Sequence, residues 1–154
     1  MATLATDIAL AQQSLKGASA RPDGGKVFGA YHVLEAVYTT TGAEAATDVI
    51  DIGILPEGCI VLPEKSKVAC EASGGTGTAV SKLGDASDDD RYSATSIALT
   101  SAAVTDVTPA VATGVITRTP VTADTNTIKA TLALTSGSVT AGKKIVFLIA
   151  FRKP

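Results

Sequence analysis

The sequence contains no tryptophan, one histidine, one methionine, and three residues each of Phe and Tyr. With so few rings, its interior must be filled by Val, Ile, Leu and Ala. It also lacks the aromatic platforms on which sugars usually stack. Charge is sparse as well: 13 basic and 15 acidic residues leave a net charge of −2, and bases adjoin only at Lys143-Lys144 and Arg152-Lys153. Neutralising a phosphate backbone takes a clustered excess of Lys and Arg, so nucleic acid is not an expected partner. No apolar run reaches the ~18 residues needed to cross a bilayer. The opening residues Met1 to Asp7 lack the basic stretch of a secretory leader, so the expected site of synthesis and assembly is the cytoplasm, with no membrane partner.

What remains is the composition of one compact β domain. At 154 residues with 45% hydrophobic and 18% charged side chains, the chain is long enough and apolar enough to bury a core. Thr and Ser supply roughly a fifth of it, which suits pleated, half-exposed strands. Two regions are expected: an arm or linker over 1–26, and a β-sandwich over 27–154. In the arm, Leu4, Ile8, Ala11 and Leu15 recur at helical spacing, Thr3 is a possible cap, and a Gly/Pro-rich stretch follows from Gly17. So short a stripe does not sustain an isolated helix. It reads either as a short surface helix or tail, or as an arm that orders against a neighbouring subunit, with Leu4, Ile8 and Leu15 as the partner-binding residues.

From Gly29 the period changes to two. Eight strands are expected, at about 29–39, 47–52, 58–71, 77–84, 94–100, 111–118, 126–135 and 143–152. The clearest alternation puts Ile128, Ala130, Leu132 and Leu134 on one face, with Thr127, Lys129, Thr131 and Thr135 on the other. Ile145 to Phe151 is apolar on both faces and belongs at the centre of a sheet or in an interface. Eight short strands punctuated by turn formers indicate an antiparallel β-sandwich of the jelly-roll kind.

Candidate chemistry is thin. Cys59 and Cys70 could face each other across a hairpin turned at Pro63 to Ser66. Alternatively, 58–71 is one strand bent at Pro63 that holds them ~36 Å apart at ~3.3 Å per residue. The bent strand, with two free thiols, is the preferred reading. His32 lies in an apolar strand and reads as a hydrogen-bonded strand residue. Residues 137–143 match the first seven positions of a phosphate-binding loop, but Lys144 stands where Ser or Thr is needed, and a strand follows where a helix is required. Asp85, Asp88, Asp89 and Asp90 form the densest acidic cluster. They read as a solvated turn with Arg91 as local partner, or as weak candidates for a bound cation, although the spacing of a calcium loop is missing. No paired carboxylates or nucleophile motif mark an enzyme, and no cofactor is expected.

Several segments taken in order resemble one group of proteins. These are Leu55-Pro56-Glu57-Gly58 leading into Ile60-Val61-Leu62, then Lys82-Leu83-Gly84-Asp85 followed by Asp88 to Tyr92. Ala123 to Thr131 comes next, and Ala141-Gly142 before Ile145 to Phe151 closes the series. Together they span about 47–152 and resemble the decoration (cement) or minor head structural proteins of tailed phages. The resemblance implies a β-sandwich, frequently trimeric, on the capsid exterior with the major capsid protein as partner. It carries no catalytic residues. Tail, neck or fibre components and carbohydrate-binding jelly rolls are the alternatives.

Overall fold

The computed structural model describes residues 31–72, 77–93, 95–112, 115–116, 118–136 and 138–153. The arm over 1–26, with Leu4, Ile8 and Leu15, and the domain boundary after it lie outside the described residues. Eleven strands follow in order. The first five are β1 (His32–Thr39), β2 (Val49–Ile54), β3 (Ile60–Val61), β4 (Lys67–Cys70) and β5 (Ala79–Gly84). The remainder are β6 (Ile97–Ala98), β7 (Ala103–Asp106), β8 (Val111–Ala112), β9 (Val115–Ile116), β10 (Thr127–Ala133) and β11 (Lys144–Arg152).

Nine of them build two antiparallel sheets. One has the order β1-β11-β4-β7, with β3 also paired to β11; the other has the order β2-β10-β5-β6. The pairings nest. β5 bonds β6, β4 bonds β7, β2 bonds β10 and β1 bonds β11, all antiparallel. The chain is therefore one long hairpin whose successive rungs alternate between the two sheets, which is the winding of a jelly roll. The small β8–β9 ribbon is inserted in the return arm of that hairpin, between β7 and β10.

The alternation expected for residues 127–135 is borne out. Ile128, Ala130 and Leu132 are buried, while Thr127, Lys129 and Thr131 are only partly covered; Leu134, beyond the end of β10, is half-buried. β11 is central, as its two apolar faces required. Ile145, Phe147 and Ile149 point between the sheets at 2% exposure or less, against Val68, Leu83, Ile128 and their neighbours. The segment 58–71 is a single strand path, interrupted by a 3-10 turn at Pro63–Lys65. Both halves, β3 and β4, pair antiparallel with β11, so Cys59 and Cys70 never face each other, and both thiols are free.

The turn lifts the chain off β11, and one side chain repairs the gap. The buried Ser66 hydroxyl donates to Leu62 O at 3.0 Å and accepts the Ala150 N–H at 3.0 Å, while Leu62 N–H reaches Ala150 O at 2.8 Å. Without that hydroxyl the Ala150 N–H would be buried and unpaired.

Two expectations are corrected. The strand proposed at 94–100 shrinks to Ile97–Ala98, and the strand proposed at 111–118 is a two-stranded ribbon outside the main sheets. The sheet position it would have filled belongs to Ala103–Asp106. Three of those four residues are exposed, so an edge strand with no dry face leaves no two-residue period to read.

Between β1 and β2 the turn is held by a nearly buried carboxylate. Glu44 accepts from Thr41 N–H at 2.5 Å, Gly42 N–H at 2.9 Å, Tyr38 Oη at 2.8 Å and Thr41 Oγ1 at 3.0 Å. Burial alone would raise its pKa, but these donors outweigh burial and lower it from 4.5 to about 2. Burial and the Glu44 contact push Tyr38 up to about 12.

Two measurements check this account. Ser66→Ala is expected to cost about 1–3 kcal/mol in urea unfolding, because it orphans a buried N–H. A depressed carboxylate stabilises fully above its unfolded value and loses that contribution as pH falls through its folded one. Wild-type stability is therefore expected to carry a component that disappears between pH 4.5 and about 2. Glu44→Gln should be less stable at neutral pH and lack that component in urea titrations at stepped pH.

Candidate interaction surface

The acidic loop follows β5, and a glycine makes it possible. A Cβ at Gly84 would lie 2.1 Å from Asp88 O and 2.4 Å from Asp89 C, so the chain folds directly back over this position. Tyr92 N–H and Ser93 N–H both reach Leu83 O at 2.9 Å, and Leu83 N–H reaches Ser93 O at 2.8 Å. The four aspartates separate by role. Asp85 is 3% exposed, and its Oδ1 accepts from Ser87 N–H and Ser87 Oγ at 2.9 Å and from Asp88 N–H at 3.2 Å. Its Oδ2 receives the Tyr92 hydroxyl at 3.3 Å and lies 2.6 Å from Arg91 Nε, an ion-pair contact without a directed N–H bond. Burial beside this carboxylate pushes the Tyr92 phenol well up.

Asp85 is thus the buried hub of the loop, and its oxygens are already committed to protein donors. Asp89 pairs with Lys82 at 2.7 Å, which raises the Lys82 ammonium pKa. Asp88 raises Asp90 through a side-chain hydrogen bond. The carboxylates of Asp88, Asp89 and Asp90 converge within 4.8 Å. Of the four candidates, these three come together at the surface and Asp85 stays apart.

His32 lies at the start of β1. Among the described residues no hydrogen bond to its ring is present; the exposed ring stacks on Phe151 at a centroid distance of 5.5 Å. The loop before β11 is a turn, with Gly142 at φ +79° and its N–H on Thr40 O at 2.7 Å, and a strand follows it. That geometry offers no cradle of amides for a phosphate. A depression of about 440 Å³ over β5 and β10 includes only Lys82 and Asp89 as charged residues, and those two are paired with each other. No described helix is long and apolar enough to cross a membrane.

The feature that sequence reasoning missed is the outer face of the five-stranded sheet. Register places Val37 opposite Val146, Val146 opposite Ala69, and Ala69 opposite Val104. The four form one apolar row across β1, β11, β4 and β7. Its ends are open, with Val37 55% and Val104 67% exposed. Tyr31 and Val33 extend the exposed apolar surface along β1. Beside it runs a mixed row of Glu35, Leu148, Lys67 and Asp106, in which Lys67 and Asp106 form an ion pair. A shallow groove of about 420 Å³ lies over Ala69, Val104 and Val146. The double-faced apolar β11 hinted at this surface, but Val104 stayed hidden because β7 leaves no alternation.

The sequence matches no protein-family model and no curated protein. The fold does have counterparts among solved structures. One is a chain of the cyanophage Pam1 capsid asymmetric unit, 18% identical with a TM-score of 0.54; the match covers 80% of this chain and 85% of that one. Another is a chain of the capsid of Ralstonia phage GP4, 17% identical with a TM-score of 0.57, covering 82% and 86%. This jelly roll is therefore a fold found in phage capsids.

The loop analysis gives a direct expectation. Asp85→Ala leaves Arg91 without its buried counter-charge and the Tyr92 hydroxyl without its acceptor, and should cost about 3–5 kcal/mol. Asp90→Ala, at the surface, should stay within about 0.5 kcal/mol of wild type. Paired urea-unfolding curves decide between a structural hub and four equivalent surface acids.

Proposed function

We propose that the protein is a structural virion subunit that decorates the exterior of a phage head, binding the major capsid protein and stabilising the shell as a homotrimer. The observation that carries this reading is the likeness in fold, over about four-fifths of the chain, to chains of two phage capsids. The surface supports it. A cement subunit works by adhesion, which calls for low-charge faces and open sheet edges in place of a deep pocket. The exposed row of Val37, Val146, Ala69 and Val104 is a surface of that kind. Residues 1–26, through Leu4, Ile8 and Leu15, are the proposed capsid-binding arm, which exchanges chain entropy for contact area when it orders.

The test is co-sedimentation of the purified chain with expanded empty heads built from the major capsid protein of the same phage. Saturable binding that raises the thermal stability of the shell is expected, together with a solution mass about three times 15.4 kDa. Failure of the intact chain to bind would refute the decoration role. Full occupancy by a chain lacking 1–26 would refute the arm's part in it.

A further inference from the structure

The apolar row on the five-stranded sheet has an occupant within reach. The chain outside the described structure rejoins it at Tyr31, at the start of edge strand β1. Strand alternation places Tyr31 on the same face as Val33 and Val37, the face that carries the row. The preceding segment therefore leaves from a corner of the patch. In that segment Leu4, Ile8, Ala11 and Leu15 follow the spacing of one helical face, and Asp7 is the only charged residue among 3–15.

The dimensions agree. From Leu4 to Leu15 such a stripe extends about 16 Å at 1.5 Å per residue. The row from Val37 to Val104 crosses three strand spacings, about 14 Å. Residues 16–30 include Gly17, Gly24 and Gly25. A coil of that many residues would have an end-to-end distance of about 20 Å, enough to turn back over the sheet. So short a tether also holds the stripe near its own face at an effective concentration on the order of millimolar, which favours its own chain over another copy.

We propose that residues 3–16 lie across the outer face of the chain's own five-stranded sheet in the free subunit, seating Leu4, Ile8, Ala11 and Leu15 on the row of Val37, Val146, Ala69 and Val104. This goes beyond the decoration role, since it concerns the protein before any capsid is present: the arm and the row offered above as capsid-binding surfaces cover each other in the free subunit.

The experiment uses the full chain at low micromolar concentration without capsids. In a Cys70→Ser background, Ile8→Cys is combined with Val146→Cys and oxidised. A disulfide between 8 and 146 within one chain, identified by peptide mapping and an unchanged denatured mass, is the expected result. An interchain 8–146 bond would place the segment on a neighbouring copy and overturn the proposal, and the absence of any bond would overturn it too. Separately, Val104→Cys should be alkylated about tenfold faster once Leu4→Asp and Ile8→Asp are added, changes that touch no residue of the sandwich. An unchanged rate, or Val104→Cys chains that cross-link to each other, would count against it. Because no capsid enters these measurements, their failure leaves the sedimentation result to decide the decoration role by itself.

Discussion

The molecule depends on satisfying every backbone group of β11. This strand is buried along much of its length and flanked on both sides, so no N–H or C=O on it can fall back on water. β1 takes one edge over its whole length, whereas the other edge is shared by β4 and the short β3. Between those two the partner chain leaves the ladder at Pro63–Lys65, as proline and a 3-10 turn require. A hydroxyl at residue 66 carries the ladder across that break. The same interruption separates the cysteines, so a local hydrogen-bond repair and the absence of a disulfide share one cause.

Once β11 is fixed, the rest of the jelly roll follows by nesting. Its partner β1 closes the outermost rung, where Lys143 N–H meets Thr40 Oγ1 across 103 residues of chain. The inner rungs join residues much closer in sequence and so have less loop entropy to overcome. Turn chemistry serves these closures. The glycine at 84 lets the chain double back within van der Waals range of itself, and the carboxylate at 44 gathers the amides of the first turn. The first works by the absence of a side chain, the second by a charge that holds backbone amides.

Much of this architecture was legible in residue patterns, and the misses have physical causes. β10 and β11 were readable because each presents a continuous buried face, so burial imprints a period on the sequence. β7 was not readable because most of its residues face water, and backbone pairing with β4 and the Lys67–Asp106 ion pair place it without a buried face. The count of eight came close to the nine strands of the two sheets, since the expected strand 58–71 divides into β3 and β4 and the ribbon at 111–116 stood in for the missing edge. The acidic cluster was visible as composition, but the difference between Asp85 and its neighbours was not. That difference arises from the tight reversal over Gly84, which sends one carboxylate inward and leaves three outside. The apolar row needed register between four strands, which no single segment encodes.

Pairing of the first described strand with the last has a geometric corollary. His32 sits opposite Phe151, so the polypeptide enters and leaves the sandwich at the same corner of one sheet. Anything appended after Lys153 would emerge beside the root of the leading segment and compete with it for space. A display cargo placed there needs a spacer long enough to clear that corner, whereas an insertion at the Gly142 turn, where Thr39 faces Lys144 at the opposite end of the β1–β11 pair, would lie a strand's length away from it.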